Sequence, residues 1–370
     1  MTSFQERAQR NWVTIAYMDQ NKRTILKSFS PIKILIPVLL GLGATAWLFI
    51  KDDKLSDLKG IAEANWWWLA AALLVLLIRD VGYMYRTRNL TDKFLSWRSS
   101  LDVIMLWEFA SAITPSVVGG STIATILLNK EGIPLGKSLA YVMVTAVLDN
   151  MFFIIAAPLA LVFIQGEVFP NFGLSQSDLS ALKMAFYISY SLITIYTFIM
   201  IYALFMRPRA FKWILLRLTG WRFFRKWRIN AHQHGNEIIW ASQQLRGKDF
   251  NYWARAIIST IFVWSARYFL LNCLIAAFVD VSFDNHMLII SRNLIFWIVM
   301  LVAITPGGAG IVEMAFPSFF GLFLGRFSNI VVVLYRLITY YPYLVLGSIF
   351  LPKWVAKVFG KSSVEDEVKV

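Results

Sequence analysis

Ala303-Ile304-Thr305-Pro306-Gly307-Gly308-Ala309-Gly310-Ile311-Val312-Glu313 sits between two apolar runs and decides how this chain folds. Proline removes a backbone donor and ends a helix, and glycine admits conformations closed to other residues. An apolar helix must therefore stop near Thr305 and restart near Gly310. A second break begins the same way: Ala112-Ile113-Thr114-Pro115, then Gly119-Gly120. The shared tetrapeptide carries little by itself. Its setting carries more, because both copies interrupt an apolar helix.

Outward from these breaks the chain is largely apolar. Of 370 residues, 58% are hydrophobic and 16% charged, against about 25% charged in soluble domains. One core could not hide that surface, whereas a bilayer solvates it. Runs long enough to span cover 31–50, 66–82, 137–164, 181–206, 254–279, 286–304 and 329–352. The stretches 101–128 and 310–325 are interrupted or short. The expected fold is an all-α polytopic membrane protein of about eight transmembrane helices plus broken, re-entrant hairpins. The divisions are a polar, amphipathic N-terminus (1–33), a transmembrane domain (34–352) and a tail (353–370).

The formal charge is +14. Basic residues flank apolar runs, so the excess reads as positive-inside bias and attraction to anionic lipid, not as a nucleic-acid surface. Residues 1–33, 83–100, 207–255 and 353–370 are basic and expected on the cytoplasmic side. Loops 51–65, 165–180 and 280–285 carry the acids and are expected outside. Segment 101–128 then enters and leaves by one face, and the second hairpin opens on the other. Each break follows a helix with an intramembrane arginine: Arg79 is 115 − 79 = 36 residues before Pro115, and Arg267 is 306 − 267 = 39 before Pro306. Two halves, 66–164 and 254–352, emerge as an inverted repeat. Helix 181–206 and a basic segment, 207–253, link them. Such repeats place broken helices at mid-membrane around a substrate site. Kinks that serve only helix packing are the competing explanation.

Arg79, Asp80, Glu108, Asp149, Arg267, Arg292, Glu313 and Arg336 fall inside apolar runs. A charge at the bilayer centre costs about 2.5–3.5 kcal/mol on an insertion scale, so these groups line a polar space, pair, or lie near the interface. Arg79 and Asp80 are placed near the interface. Arg267, Arg292 and Arg336 have apolar neighbours on both sides and suit the oxygens of a phosphate. Internal pairing, such as Arg336 with Glu313 or Arg267 with Asp149, is the alternative. The backbone N–H groups around Thr114, Pro115, Gly119 and Gly120, and around Thr305, Pro306, Gly307, Gly308 and Gly310, would add anion-binding donors.

Residues 207–228 hold eight basic residues and no acid. Arg207, Arg209, Lys212, Arg217, Arg222, Arg225, Lys226 and Arg228 alternate with Trp213, Trp221 and Trp227. The pattern predicts a helix lying in the membrane interface. Cys273 is a lone apolar-run cysteine, and His232, His234 and His286 have no acid or thiol cluster beside them. No metal, cofactor or catalytic centre is expected.

Ile113-Thr114-Pro115 with Gly119-Gly120, then Leu127-Leu128 before Lys130-Glu131-Gly132, and Thr305-Pro306-Gly307-Gly308-Ala309-Gly310 with Glu313, resemble a known family. It is the flippase-like family typified by the membrane region of lysylphosphatidylglycerol synthase, the multiple peptide resistance factor. The resemblance covers roughly residues 35–352. With no soluble synthase domain in the chain, it implies lipid translocation and not aminoacyl-lipid synthesis. The expected activity is a non-enzymatic flippase in a bacterial cytoplasmic membrane, with both termini cytoplasmic. A lipid with an anionic or zwitterionic headgroup, or a lipid-linked substrate, would cross through a central polar cavity. Arg79, Glu108, Asp149, Arg267, Arg292, Glu313 and Arg336 would line that cavity. A lipid-binding scaffold for a partner enzyme is a second reading, and a transferase acting on polyprenyl-linked lipid is a third. Homo-oligomers are compatible with all three.

Overall fold

In the computed structural model, residues 31–51, 60–114, 117–164, 168–170, 173–222, 224–301 and 305–367 are described, and no strand occurs among them. The helices are α1 (Pro31–Lys51), α2 (Trp66–Leu90), α3 (Trp97–Ile113), α4 (Val117–Lys130), α5 (Leu135–Phe163), α6 (Gln176–Ile201), α7 (Pro208–Leu218), α8 (Arg228–Leu245), α9 (Phe250–Ala276), α10 (Phe283–Met300), α11 (Ile311–Leu324), α12 (Ser328–Thr339) and α13 (Tyr341–Glu367). Several start on a polar side chain that satisfies a free backbone N–H. Asn65 caps α2, Ser96 caps α3 and Asp249 caps α9. Ser175 and Asp178 form a capping box on α6.

Five helical stretches are long and apolar enough to cross a membrane, among them α2, α5 and α9. Their outer faces are apolar and uncovered: Leu73, Leu74, Leu77 and Val81 of α2, and Ile195 and Phe198 of α6, point away from the protein. Only a hydrocarbon solvent accommodates such a surface at this extent.

Helices α2 and α9 make the most extensive helix contact, and they run antiparallel. The Asn65 N–H donates to the Ala277 carbonyl at 2.7 Å. Gly82 lies on Val263, where a Cβ would come within 2.8 Å of Val263 Cγ1. The Tyr252 hydroxyl donates to the Leu90 carbonyl at 3.0 Å. In lipid, close approach over small residues replaces hydrophobic burial as the source of helix affinity, and Ala72 and Gly82 supply it here. Gly347 does the same for α13 against α3, where a Cβ would meet Phe109 Cγ at 2.1 Å.

The first broken stretch divides into two helices, α3 and α4. Helices α3 and α4 are 17 and 14 residues long. At about 1.5 Å per residue neither crosses about 30 Å of hydrocarbon. Pro115 lies outside the described residues. The second half departs from expectation in one respect. The run 329–352 is not one span but two helices, α12 and α13, parted at Tyr340 (φ −126°, ψ −60°). Pro342 explains this: it has no N–H to give the carbonyl of an earlier turn, so one helix ends at Thr339 and a new one begins with Pro342 in its first turn. Helices α11 and α12, of 14 and 12 residues, are both short.

The basic segment is a helical hairpin, not a single helix. Helix α7 ends at Leu218, a 3-10 turn covers Arg225–Trp227, and α8 returns against α7.

Candidate functional site

Arg79 lies 13 residues after Trp66 and 11 before Leu90, so about 20 and 17 Å of helix separate it from the two ends of α2. It is 1% exposed. The pair of Arg79 and Asp80 lies near the middle of α2. Arg79 Nη2 donates to Asp80 Oδ1 at 2.7 Å and also reaches the Tyr343 hydroxyl. That hydroxyl donates to Asp80 Oδ2 at 2.7 Å.

Two turns on, Arg86 pairs with Asp149 of α5, whose Oδ1 also accepts from Trp264 Nε1 at 2.8 Å. Arg267 of α9 donates from Nη2 to Glu108 Oε1 of α3 at 3.0 Å. The considered pairing of Arg267 with Asp149 is thus replaced: Arg86 holds Asp149, and Glu108 holds Arg267. Three arginines and three carboxylates form the cluster.

Arg267 is boxed by rings. Its guanidinium carbon lies 5.2 Å from the Trp264 ring, 5.0 Å from Trp297 and 5.8 Å from Tyr83. The i, i+3, i+4 spacing of Trp264, Arg267 and Tyr268 puts them on one face of α9. Donors outnumber acceptors here. Arg267 Nε, Tyr268 Oη and Trp297 Nε1 are buried and have no hydrogen-bond partner. A buried donor without an acceptor costs about 1–3 kcal/mol. All three would be satisfied by an oxygen-rich anion.

A second cluster sits at the second break. Gly307, Gly308 and Gly310 have φ of 55°, 66° and 84°, the left-handed region that favours glycine. Glu313, in the first turn of α11, accepts the Gly310 N–H at 2.8 Å. Arg336 Nε lies 2.8 Å from Glu313 Oε1, a close ion pair off the hydrogen-bonding angle. Arg336 Nη1 donates to the Gly307 carbonyl at 3.1 Å, and its guanidinium lies 3.7 Å over the Tyr340 ring. The considered Arg336–Glu313 pairing is present. Thr305 Oγ1 is buried without a partner.

Tyr340 joins the two breaks. Its hydroxyl donates to the Ala112 carbonyl at 3.0 Å, beside the first break. A Cβ on Gly307 would come within 2.3 Å of its ring. At the first break, Thr114 Oγ1 returns to the Ala110 carbonyl at 2.6 Å and Gly120 packs on Ser111. Gly119 is within α4.

Arg292 belongs to neither set of contacts. It donates to the Phe319 carbonyl at 3.0 Å and lies over the Phe323 ring, tying α10 to α11. On the basic hairpin, Trp213, Trp221 and Trp227 are exposed. Arg217 covers the Trp213 ring and Lys226 the Trp227 ring. Lys212 donates to Asn236 of α8 at 2.6 Å.

Sequence reasoning missed Arg86, Tyr83, Trp264, Trp297 and Tyr343. Loop-charge counting assigned Arg86 to a cytoplasmic loop, whereas α2 continues to Leu90 and buries it at 3% exposure. The aromatic spacing on α9 was the available signal for Trp264.

Residues 34–347 match the family described as the lysylphosphatidylglycerol synthase TM region. The chain is also 26% identical over 322 residues to a UPF0104 membrane protein of Archaeoglobus fulgidus, across 85% of this chain and 95% of that one.

Proposed function

Because this chain belongs to the lysylphosphatidylglycerol synthase transmembrane-region family, we propose that it is a lipid flippase that moves an anionic or zwitterionic headgroup across the bilayer. The observation that carries the reading is the set of buried, unpartnered donors around Arg267: Arg267 Nε, Tyr268 Oη and Trp297 Nε1. A headgroup phosphate offers the acceptors they lack, and the guanidinium matches its charge. The acyl chains would stay in lipid while the headgroup passes through the protein.

Two further features support alternating access by an inverted repeat. The leading helices of the two halves, α2 and α9, pack antiparallel. The packing is also reciprocal: α3 of the first half lies on α13 of the second, and α10 of the second lies on α5 of the first. A pseudo-two-fold axis in the membrane plane would generate this exchange. The reading assigns no catalytic residue. It places both termini and the α7–α8 hairpin on the cytoplasmic side, with the exposed tryptophans in anionic headgroups.

The test is reconstitution of the purified protein in liposomes with acyl-labelled phospholipids and a membrane-impermeant quencher. Transport predicts loss of inner-leaflet protection faster than in protein-free vesicles, and its suppression by Arg267→Gln. If no lipid in a broad panel moves, the second reading takes over. That reading is a lipid-binding scaffold, favoured by the basic α7–α8 hairpin with its exposed Trp213 and Trp221.

A further inference from the structure

Glu313 is 0% exposed, whereas the carboxylate side chains of Asp80, Asp149 and Glu108 keep 14%, 21% and 23% exposure. Those three can hold charge with help from a polar space. Glu313 depends on two contacts, the Gly310 N–H and the Arg336 guanidinium.

Arg336 is not saturated by these neighbours. Its Nη2 is buried without a partner, and so is the Tyr341 hydroxyl nearby. Helix α1 packs closely at the same place, over Gly41. A Cβ at Gly41 would lie 2.8 Å from Tyr341 Oη and 3.0 Å from Glu313 Oε1. The hydroxyl and the carboxylate therefore both lie against the Gly41 backbone.

Of the groups that titrate or carry charge on elements against α11, Arg336, Tyr340 and Tyr341 face Glu313. Arg292 of α10 donates to the Phe319 carbonyl instead. Glu108 of α3 is held by Arg267, and α1 carries Lys33 and Lys51 only near its ends.

Suppose a phosphate diester anion, with one negative charge, reaches the unpartnered Nη2 of Arg336. With Glu313 ionised, the buried site goes from neutral to a net charge of −1. An uncompensated charge at this depth costs about 2.5–3.5 kcal/mol even on the lenient scale. One proton removes it. Arg336⁺ and Glu313⁻ become Arg336⁺ with phosphate⁻ and a neutral Glu313 carboxyl. One O–H bond forms on Glu313 and one breaks in a hydronium ion of the adjoining solution, which is left as water. Release reverses both changes.

Resting on the flippase reading, we propose that Glu313 couples transport to a proton: it takes up H⁺ as Arg336 exchanges its carboxylate for a headgroup phosphate, and returns it as the pair re-forms. The loaded and empty sites are then both neutral, so lipid and proton move together without net charge. A pH gradient drives this exchange, and a membrane potential alone does not.

The test uses the full chain in phosphatidylcholine vesicles carrying acyl-labelled phosphatidylglycerol, with an entrapped pH dye and an external quencher. One-proton linkage predicts a labelled-lipid rate that rises by up to about tenfold per pH unit as the donor side is acidified from about pH 8 to about pH 6. The dye reports about one proton per lipid. Glu313→Gln, which keeps the acceptor for the Gly310 N–H, loses the pH dependence. The wild-type measurement stands whether or not the variant folds. A phosphatidylglycerol rate flat across that range, with no dye response, overturns the coupling and leaves the flippase reading intact. Movement of phosphatidylcholine alone without a dye response also overturns it, since a headgroup ammonium then takes the place of the proton. If no lipid moves at any pH or gradient, the flippase reading and the coupling fall together.

Discussion

The two helix breaks start from the same four residues and reach different solutions. After Ala112-Ile113-Thr114-Pro115, the chain passes from α3 to α4 across a short gap, the Thr114 hydroxyl turns back on Ala110, and Gly120 packs on Ser111. After Ala303-Ile304-Thr305-Pro306, three glycines in the left-handed region build a loop before α11. Glu313 caps that helix and Arg336 neutralises it. The described contacts of the first break are the short-range bond of Thr114 to Ala110 and the long-range bond of Tyr340 to Ala112. The second is held by a buried ion pair with α12, the helix that follows α11. A tetrapeptide sets where a membrane helix ends, while the residues after it decide whether the gap carries charge.

The sharpest way to break this contrast is to remove its charge. Arg336→Ala leaves Glu313 buried and alone, which costs about 3–5 kcal/mol. Thr114→Ala at the first break removes a single hydroxyl contact, about 0.5–1.5 kcal/mol. Thermal unfolding in detergent should show a large fall in Tm for the first and a small one for the second. Equal falls would show that the ion pair does not hold the second break. The double change Arg336→Leu with Glu313→Leu should recover most of the loss.

A smaller effect separates the glycines. Gly307→Ala forces φ of 55° on a residue with a Cβ and drives it to 2.3 Å from the Tyr340 ring. We expect about 1–3 kcal/mol of destabilisation. Gly120→Ala meets the Ser111 hydroxyl at 2.3 Å. That side chain can rotate, so the cost should stay below about 1 kcal/mol. Reversal of this order would mean that the first break is the tighter one.

The smallest change tests the link between the breaks. Tyr340→Phe keeps the ring under Arg336 and removes the donor to the Ala112 carbonyl. A loss of about 1 kcal/mol is expected. Hydrogen exchange should rise at the end of α3 and stay unchanged around Gly310. Exchange rising equally at both would mean that Tyr340 supports the second break through its hydroxyl.

Much of this architecture was legible in the residues. Thr305-Pro306-Gly307-Gly308 marks a break because proline and glycine act locally, and the structure places it between α10 and α11. The Arg336–Glu313 pairing was legible only as the alternative to a phosphate contact, argued from the poor solvation of lone charges in lipid. Pro342 carried the same kind of local signal, and reading 329–352 as one apolar run overlooked it. The partners of Arg267 and Asp149 were not legible. They depend on the antiparallel register of α2 and α9, which brings Arg86 and Trp264 to Asp149. That register is set by close contact over Gly82, a tertiary fact with no counterpart in hydropathy. Arg292 resembled Arg267 in sequence, yet its place at the Phe319 carbonyl is fixed by helix packing.

The central claim is that Arg267 reads a headgroup phosphate and does more than neutralise Glu108. The direct test compares Arg267→Gln with the double change Arg267→Gln, Glu108→Gln in the liposome transport measurement. A lost charge-assisted contact of about 1.5–3 kcal/mol predicts transport slower by about ten- to a hundredfold. The account predicts that the double variant stays as slow as the single one, because the phosphate still lacks its guanidinium. Recovery of transport in the double variant would contradict it, leaving Arg267 only as a counter-charge for a buried acid.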